Sequence, residues 1–323
     1  MKSAEVFMKT KNKLLTLLLL TTGAASAIAA INKLIQIKAT SKNLTSKTES
    51  LCYKYRFGNV HYTKSGSGKP LILIHDLNAY SSGYDWNELL PYLNEHYTVY
   101  NIDLLGCGQS EKVSMIYTNY LYVQLISDFI KTEIGHRTSV IAAGESASIP
   151  IMACANNPEL FNQIMLVNPH SLHEYSQMPG KTSKLYKFLV DSPIIGTLLY
   201  HIAASKKMIR EDLEKDGFSN PYAIKDHYLD ICCECANLGH SPKSLYSSKE
   251  ANYTKCNISN ALKKIDNSIY LVGGEGIENI SSILEEYKEY NPAIELFYIP
   301  DTKKLLQIES PQKLFEVIQT SFL

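Results

Sequence analysis

The chain has 323 residues, 45% of them apolar and 20% charged, which is enough apolar sequence for a sizeable core and excludes a disordered or collagen-like chain. Lys+Arg and Asp+Glu both total 32, so no global charge favours a nucleic-acid partner. Seven cysteines, an odd number, do not make a fully paired disulfide scaffold. The length fits two domains, or one large α/β domain carrying an insertion.

Residues 14–31, LLTLLLLTTGAASAIAAI, carry no charge and are long enough to cross a bilayer core as a helix. Lys2, Lys9, Lys11 and Lys13 precede them, the pattern of a signal anchor with a cytoplasmic N-terminus and a translocated domain. Ala25-Ser26-Ala27 and Ala27-Ile28-Ala29 would equally serve a cleaved signal, leaving a secreted product. A buried helix is the third reading. Segment 1–37 is thus expected to meet a membrane, and the polar stretch 38–50 to form a tether.

The soluble part opens with a loosely alternating run, Tyr53 to Tyr62, that reads as a hairpin leading through Ser65-Gly66-Ser67-Gly68 into a strand at Pro70–Ile74. Strands follow at Thr98–Ile102, Ser139–Ala143 and Gln163–Val167, with helical spacing at Trp86–Leu93, Tyr117–Ile134 and Ala147–Ala155. Residues 172–253 break this rhythm; Pro179, Pro193, Pro221 and Pro242 punctuate helical patterns there. The alternation resumes with strands at Ser268–Val272 and Glu295–Ile299 and helices at Ile280–Tyr290 and Pro311–Phe322. The reading is a mostly parallel, doubly wound α/β core of residues 51–171 and 254–323, with 172–253 as a helical cap.

Chemistry concentrates in Val140-Ile141-Ala142-Ala143-Gly144-Glu145-Ser146-Ala147-Ser148. A serine on a sharp strand-to-helix turn can present its hydroxyl above the sheet, so Ser146 is the candidate nucleophile and the Ala147 amide the candidate oxyanion donor. An ordinary turn with a buried serine is the competing reading. Cys232-Cys233-Glu234-Cys235, with His240 and Cys256, lacks the spacing of a common zinc site; Cys232 and Cys235, at helical spacing, read as one face of a cap helix.

Four ordered segments resemble the α/β-hydrolase superfamily. They are Leu71-Ile72-Leu73-Ile74-His75-Asp76, Asp103-Leu104-Leu105-Gly106-Cys107-Gly108-Gln109-Ser110, Gly144-Glu145-Ser146-Ala147-Ser148, and Ile299-Pro300-Asp301 followed by Glu309-Ser310-Pro311. The resemblance implies an eight-stranded sheet with a cap after strand six, and hydrolysis of a small ester, amide, epoxide or carbon–halogen substrate without metal or organic cofactor. It implies an oxyanion loop at His75, Asp76 and Leu77.

The chain departs from that pattern at the site. Lys303-Lys304 stand where the family has Gly-His, so Lys304 replaces the general base, and no histidine follows His240. The acid position falls on Ile277, with Glu275 and Glu278 beside it. Asp76 replaces a glycine, and a carboxylate there opposes a developing oxyanion. A Ser146–Lys304 dyad requires a desolvated lysine of depressed pKa; a lysine paired with Asp76, Glu275 or Glu278 stays protonated and leaves a charged binding pocket. His170, at the same sheet edge, and His75 are the substitute bases. The expectations are a membrane-tethered serine hydrolase with a non-standard base, or an inactive hydrolase-fold protein that binds a ligand or partner in the old pocket.

Overall fold

The computed structural model describes residues 22–45 and 50–322. Eight strands form one sheet: β1 (Leu51–Tyr55), β2 (Gly58–Gly66), β3 (Lys69–Ile74), β4 (Tyr97–Ile102), β5 (Thr138–Ala143), β6 (Phe161–Val167), β7 (Ser268–Gly274) and β8 (Glu295–Ile299). Their order is β1-β2-β4-β3-β5-β6-β7-β8. The β1–β2 and β2–β4 pairs are antiparallel and all others parallel.

Burial explains the assignments. All six residues of β5, TSVIAA, are buried, as a central strand covered on both faces requires. Toward the edge, β2 buries only Val60 and Tyr62 and alternates with more exposed residues. The expected hairpin is displaced. Its turn lies between β1 and β2, while Gly66–Gly68 carries the chain out of β2, which pairs with β4 rather than β3. A parallel β3–β4 pair needs the helical crossover that 83–93 supplies.

Each sheet face has its own core. Phe129, Ile126, Leu284 and Tyr287 pack one face; Trp86, Leu314, Ile318 and Phe322 pack the other. The helices Asn119–Phe129, Ser148–Asn156, Ile280–Tyr290 and Pro311–Phe322 supply most of these side chains.

Between β6 and β7 the chain forms a series of helices, from Leu172–Tyr175 to Ser259–Leu262. They join the core at identifiable bonds. Tyr228 Oη donates to Asp85 Oδ1 at 2.8 Å, the Tyr117 amide donates to Ser248 Oγ at 3.1 Å, and the Leu305 amide donates to the Gly217 carbonyl at 3.0 Å.

The N-terminal segment is described only in part. Residues 14–21 of the apolar stretch lie outside the described residues. Residues 22–40 are helical, but among the described residues no helix is long and apolar enough to cross a membrane. The later part of this helix docks on the inserted helices: Asn32 Nδ2 donates to the Ile194 carbonyl at 3.0 Å, and Gln36 Nε2 to the Gly239 carbonyl at 3.1 Å. Residues 38–45, expected as a loose tether, are held in place. Lys42 pairs with Asp230 at 2.6 Å, and the Leu44 and Thr45 amides donate to the Glu234 carboxylate at 2.9 and 3.0 Å.

Candidate active site

The turn after β5 decides what the elbow can do. The left-handed residue in a sharp strand-to-helix turn is the one that lifts its side chain above the sheet. Here that residue is Gly144, at φ 59°, directly after the last strand residue Ala143. Ser146 lies two residues further, inside the short 3-10 turn Gly144–Ala147, and has no positive φ. Its side chain is fully buried, and Oγ donates to the His75 carbonyl at 2.6 Å. The expectation that Ser146 crowns the turn therefore does not match the backbone.

The space above Gly144 is filled. A Cβ at this glycine would lie 2.3 Å from Asp76 Oδ1 and 2.5 Å from Asp76 Cγ. In a catalytic elbow, the amide after the nucleophile helps hold the oxyanion. That amide is Glu145 N, not Ala147 N, and it already donates to Asp76 Oδ1 at 2.8 Å. The Asp76 carboxylate thus occupies an anion position with its own charge. Tyr175 Oη fixes the same turn by donating to the Gly144 carbonyl at 2.8 Å, and Thr254 Oγ1 donates to Glu145 Oε1.

Lys304 answers that charge. Its Nζ lies 2.9 Å from Asp76 Oδ2. Burial would push the Asp76 carboxyl up, but the Lys304 ammonium, aided by Lys249, outweighs it and holds the carboxyl well below the usual range. Reciprocally, Asp76 holds the Lys304 ammonium well above an ordinary lysine, against the opposing effect of burial. This is opposite to the depression that a Ser–Lys dyad requires. Lys304 is tied to Asp76 rather than acting as a free amine toward Ser146.

Of the substitute bases, His75 is committed to its neighbours. His75 is fully buried; its Nε2 accepts from the Leu104 amide at 3.0 Å, so Nδ1 carries the proton and donates to the Asp76 carbonyl at 2.7 Å. Burial also holds its pKa below the usual histidine value. His75 thus fixes the loop that carries Asp76 against Leu104. Leu77 beside it is a buried core residue.

His170 follows β6 and lines a cleft of about 560 Å³ with Lys304, Glu174, Asn168 and Glu278. Its ring stacks on Tyr175, and Nδ1 lies 3.7 Å from Glu174 Oε2. Burial, then the Lys304 charge, lowers its pKa, so the ring is a neutral group facing the cleft. Of the two candidate acids, both exposed, Glu278 lines this cleft, and neither forms an ion pair with Lys304 or His170. Gly276 and Ile277 bring no carboxylate.

Asn168 was not singled out by sequence. It sits at φ 47° at the end of β6, donates from Nδ2 to the Lys303 and Lys304 carbonyls at 2.9 and 3.1 Å, and accepts from the Gly274 amide at 2.7 Å. It joins the ends of β6 and β7 to the loop that presents Lys304. The signal available was an asparagine directly after an apolar strand, a residue that tolerates the left-handed region. The cysteines are all free, and among the described residues no cluster could hold a metal ion.

With this geometry in place, the comparisons with known proteins are informative. An epoxide hydrolase, CorEH, without ligand superposes with TM-score 0.68 at 18% identity, covering 85% of this chain and 98% of that one. Naproxen esterase from Bacillus subtilis superposes with TM-score 0.68 at 17% identity, covering 90% and 98%. A 2-hydroxy-6-oxo-6-(2'-aminophenyl)hexa-2,4-dienoic acid hydrolase from Metapseudomonas resinovorans is 29% identical over 140 residues, 41% of this chain and 48% of that protein. The chain thus spans about half the length of this curated relative. No family model matches. The chain thus has the α/β-hydrolase fold, and its matched segment is similar to that of a hydrolase.

Proposed function

We propose that this chain is a ligand-binding member of the superfamily, in which the Asp76–Lys304 pair replaces the nucleophile and base. One observation carries the reading: the left-handed turn residue is Gly144, and Asp76 occupies the volume a side chain there would need. Gly144 brings no side chain that can form an acyl or alkyl intermediate, and the Asp76 carboxylate above it is taken up by the Glu145 amide and the Lys304 ammonium. The cleft beside it, with His170, Glu278 and Lys304 on its walls and Ile277 and Ile283 as apolar surface, suits a small polar molecule.

A second reading is hydrolysis through Ser146 with a non-standard base. It is favoured by likeness to proteins whose names are those of hydrolases. Turnover of a broad ester, epoxide and lactone panel separates the two. The binding reading expects rates equal in wild type and Ser146→Ala at the buffer background. A rate well above background that Ser146→Ala abolishes supports the hydrolase.

We also propose that the N-terminal segment anchors the chain at a membrane, with the folded domain on the extracytoplasmic side. Support comes from the four lysines before an uncharged run of 18 residues, 14–31.

A further inference from the structure

Two consecutive inserted helices leave apolar stripes in solvent. On Lys181–Asp191 the exposed residues Leu185, Phe188 and Leu189 stand at i, i+3 and i+4, with Phe188 at 73% exposure. On Ile195–Ala203, Ile195, Leu199 and Ile202 stand at i, i+4 and i+7, with Ile195 at 63%. Such spacing puts each set on one helix face. The helices cross closely, because Gly196 permits it: a Cβ there would lie 2.1 Å from the Val190 carbonyl. The core-facing sides are already used by Val190 and Tyr200, so the stripes are surplus to folding.

From these stripes we infer that helices 181–191 and 195–203 form a surface that lies in the interfacial layer of a lipid bilayer. Large apolar side chains exposed in such number on two neighbouring helices mark an interaction face. The chain itself points to the occupant. In sequence, the uncharged run Leu14-Leu15-Thr16-Leu17-Leu18-Leu19-Leu20-Thr21 precedes the helix 22–40, which is seated beside this surface through the Asn32–Ile194 bond. That helix carries exposed Ile31, Leu34 and Ile37. Lysines accompany the apolar residues: Lys181 and Lys184 on the first helix, and Lys33 in the cleft between helix 22–40 and helix 195–203. Exposed apolar side chains with basic residues around them are the composition of a face that lies on anionic lipid. The domain would then rest on the bilayer by its inserted helices rather than hang from a free tether.

The test uses the full chain, whose single Trp86 is fully buried and reports no lipid contact. Phe188→Trp, Leu199→Trp and, on the exposed side of the C-terminal helix, Thr320→Trp place reporters at three sites. Each variant is mixed with vesicles of phosphatidylcholine and phosphatidylserine bearing brominated acyl chains. The expected result is a blue shift and quenching at 188 and 199 and no change at 320. Phe188→Glu with Leu199→Glu should weaken vesicle partitioning about tenfold or more without changing the melting temperature. Bound protein with reporters 188 and 199 unquenched would overturn the inference, as would equal quenching at all three sites. So would a dimer in solution that Phe188→Glu dissociates, since a second copy would then be the occupant.

Discussion

Asp76 lies over Gly144 so closely that the two positions cannot both carry an ordinary side chain: the nearest carboxylate oxygen is 2.3 Å from where a Cβ would be. Gly144→Ala should therefore cost more than the about 1 kcal/mol typical of alanine at a positive φ. Gly135→Ala is the control, at φ 72° with nothing within 4 Å of its Cβ. In a background of Asp76→Gly with Lys304→Met, which removes the clash without leaving half of the ion pair, adding Gly144→Ala should cost less than it does in wild type. Denaturant unfolding of the four variants checks this; equal costs at 144 and 135 would mean that the carboxylate moves aside freely.

Removing Lys304 leaves the Asp76 carboxylate buried without its partner. Lys304→Met should destabilise by about 3 kcal/mol, and Asp76→Asn with Lys304→Met by clearly less. The pair also sets a pH window. The Asp76 carboxyl is held below its unfolded value of 3.8, so its contribution is complete above about pH 4–5 and is lost as the pH falls through the lower folded value. Melting temperatures from pH 2 to 6 should fall more steeply for wild type than for the double variant.

Asp85 behaves in the opposite sense. It is buried, with Tyr228 as its donor on one oxygen and no partner on the other, and burial pushes its pKa up to about 7. Between about pH 4 and 7 the folded chain keeps a proton that the unfolded chain has released, so this group makes stability fall as the pH rises through that window. Asp85→Asn should flatten that slope and stabilise the chain at pH 8. Urea unfolding at pH 5 and pH 8 measures it; an unchanged slope would place the ionised form comfortably in the fold.

Asn168→Ala should loosen the Lys304 loop, losing three hydrogen bonds and the residue type suited to φ 47°. A cost of about 2 kcal/mol, with faster amide exchange at Lys303–Leu305, is expected.

Most of the fold could be read before any coordinates. The apolar runs of β3, β5 and β6 and the spacing in Ile280–Tyr290 and Pro311–Phe322 set elements whose burial then followed. The hairpin partner of β2 could not be read, because nothing local distinguishes pairing with β3 from pairing with β4. The site was half legible. Asp76 and Lys304 stood out as wrong residues in the right places, and a Lys304–carboxylate pair was one of the stated alternatives. Gly144-Glu145-Ser146-Ala147-Ser148 fits a serine-centred spacing, whereas the left-handed residue of the turn is Gly144. Centred on Gly144, the run Ala142-Ala143-Gly144-Glu145-Ser146 has the same small flanks but no nucleophile. The strand reading itself ended at Ala143, which already put the sharp turn at Gly144 and left Ser146 inside the turn.

The N-terminal contacts were illegible for a different reason. Polar residues 38–45 lack any apolar period, and what holds them is a set of single hydrogen bonds to Asp230 and Glu234, nearly 190 residues away. Such pairing leaves no local signature.

The central claim is that Asp76 and Lys304 have taken the place of a nucleophile at Gly144, leaving Ser146 as a structural hydroxyl. Treatment of the native chain with a fluorophosphonate, followed by intact-mass measurement and peptide mapping, tests it directly. The account predicts no adduct on the peptide containing Ser146, in wild type and in Ser146→Ala alike. A stoichiometric adduct on Ser146, lost in Ser146→Ala, would contradict it.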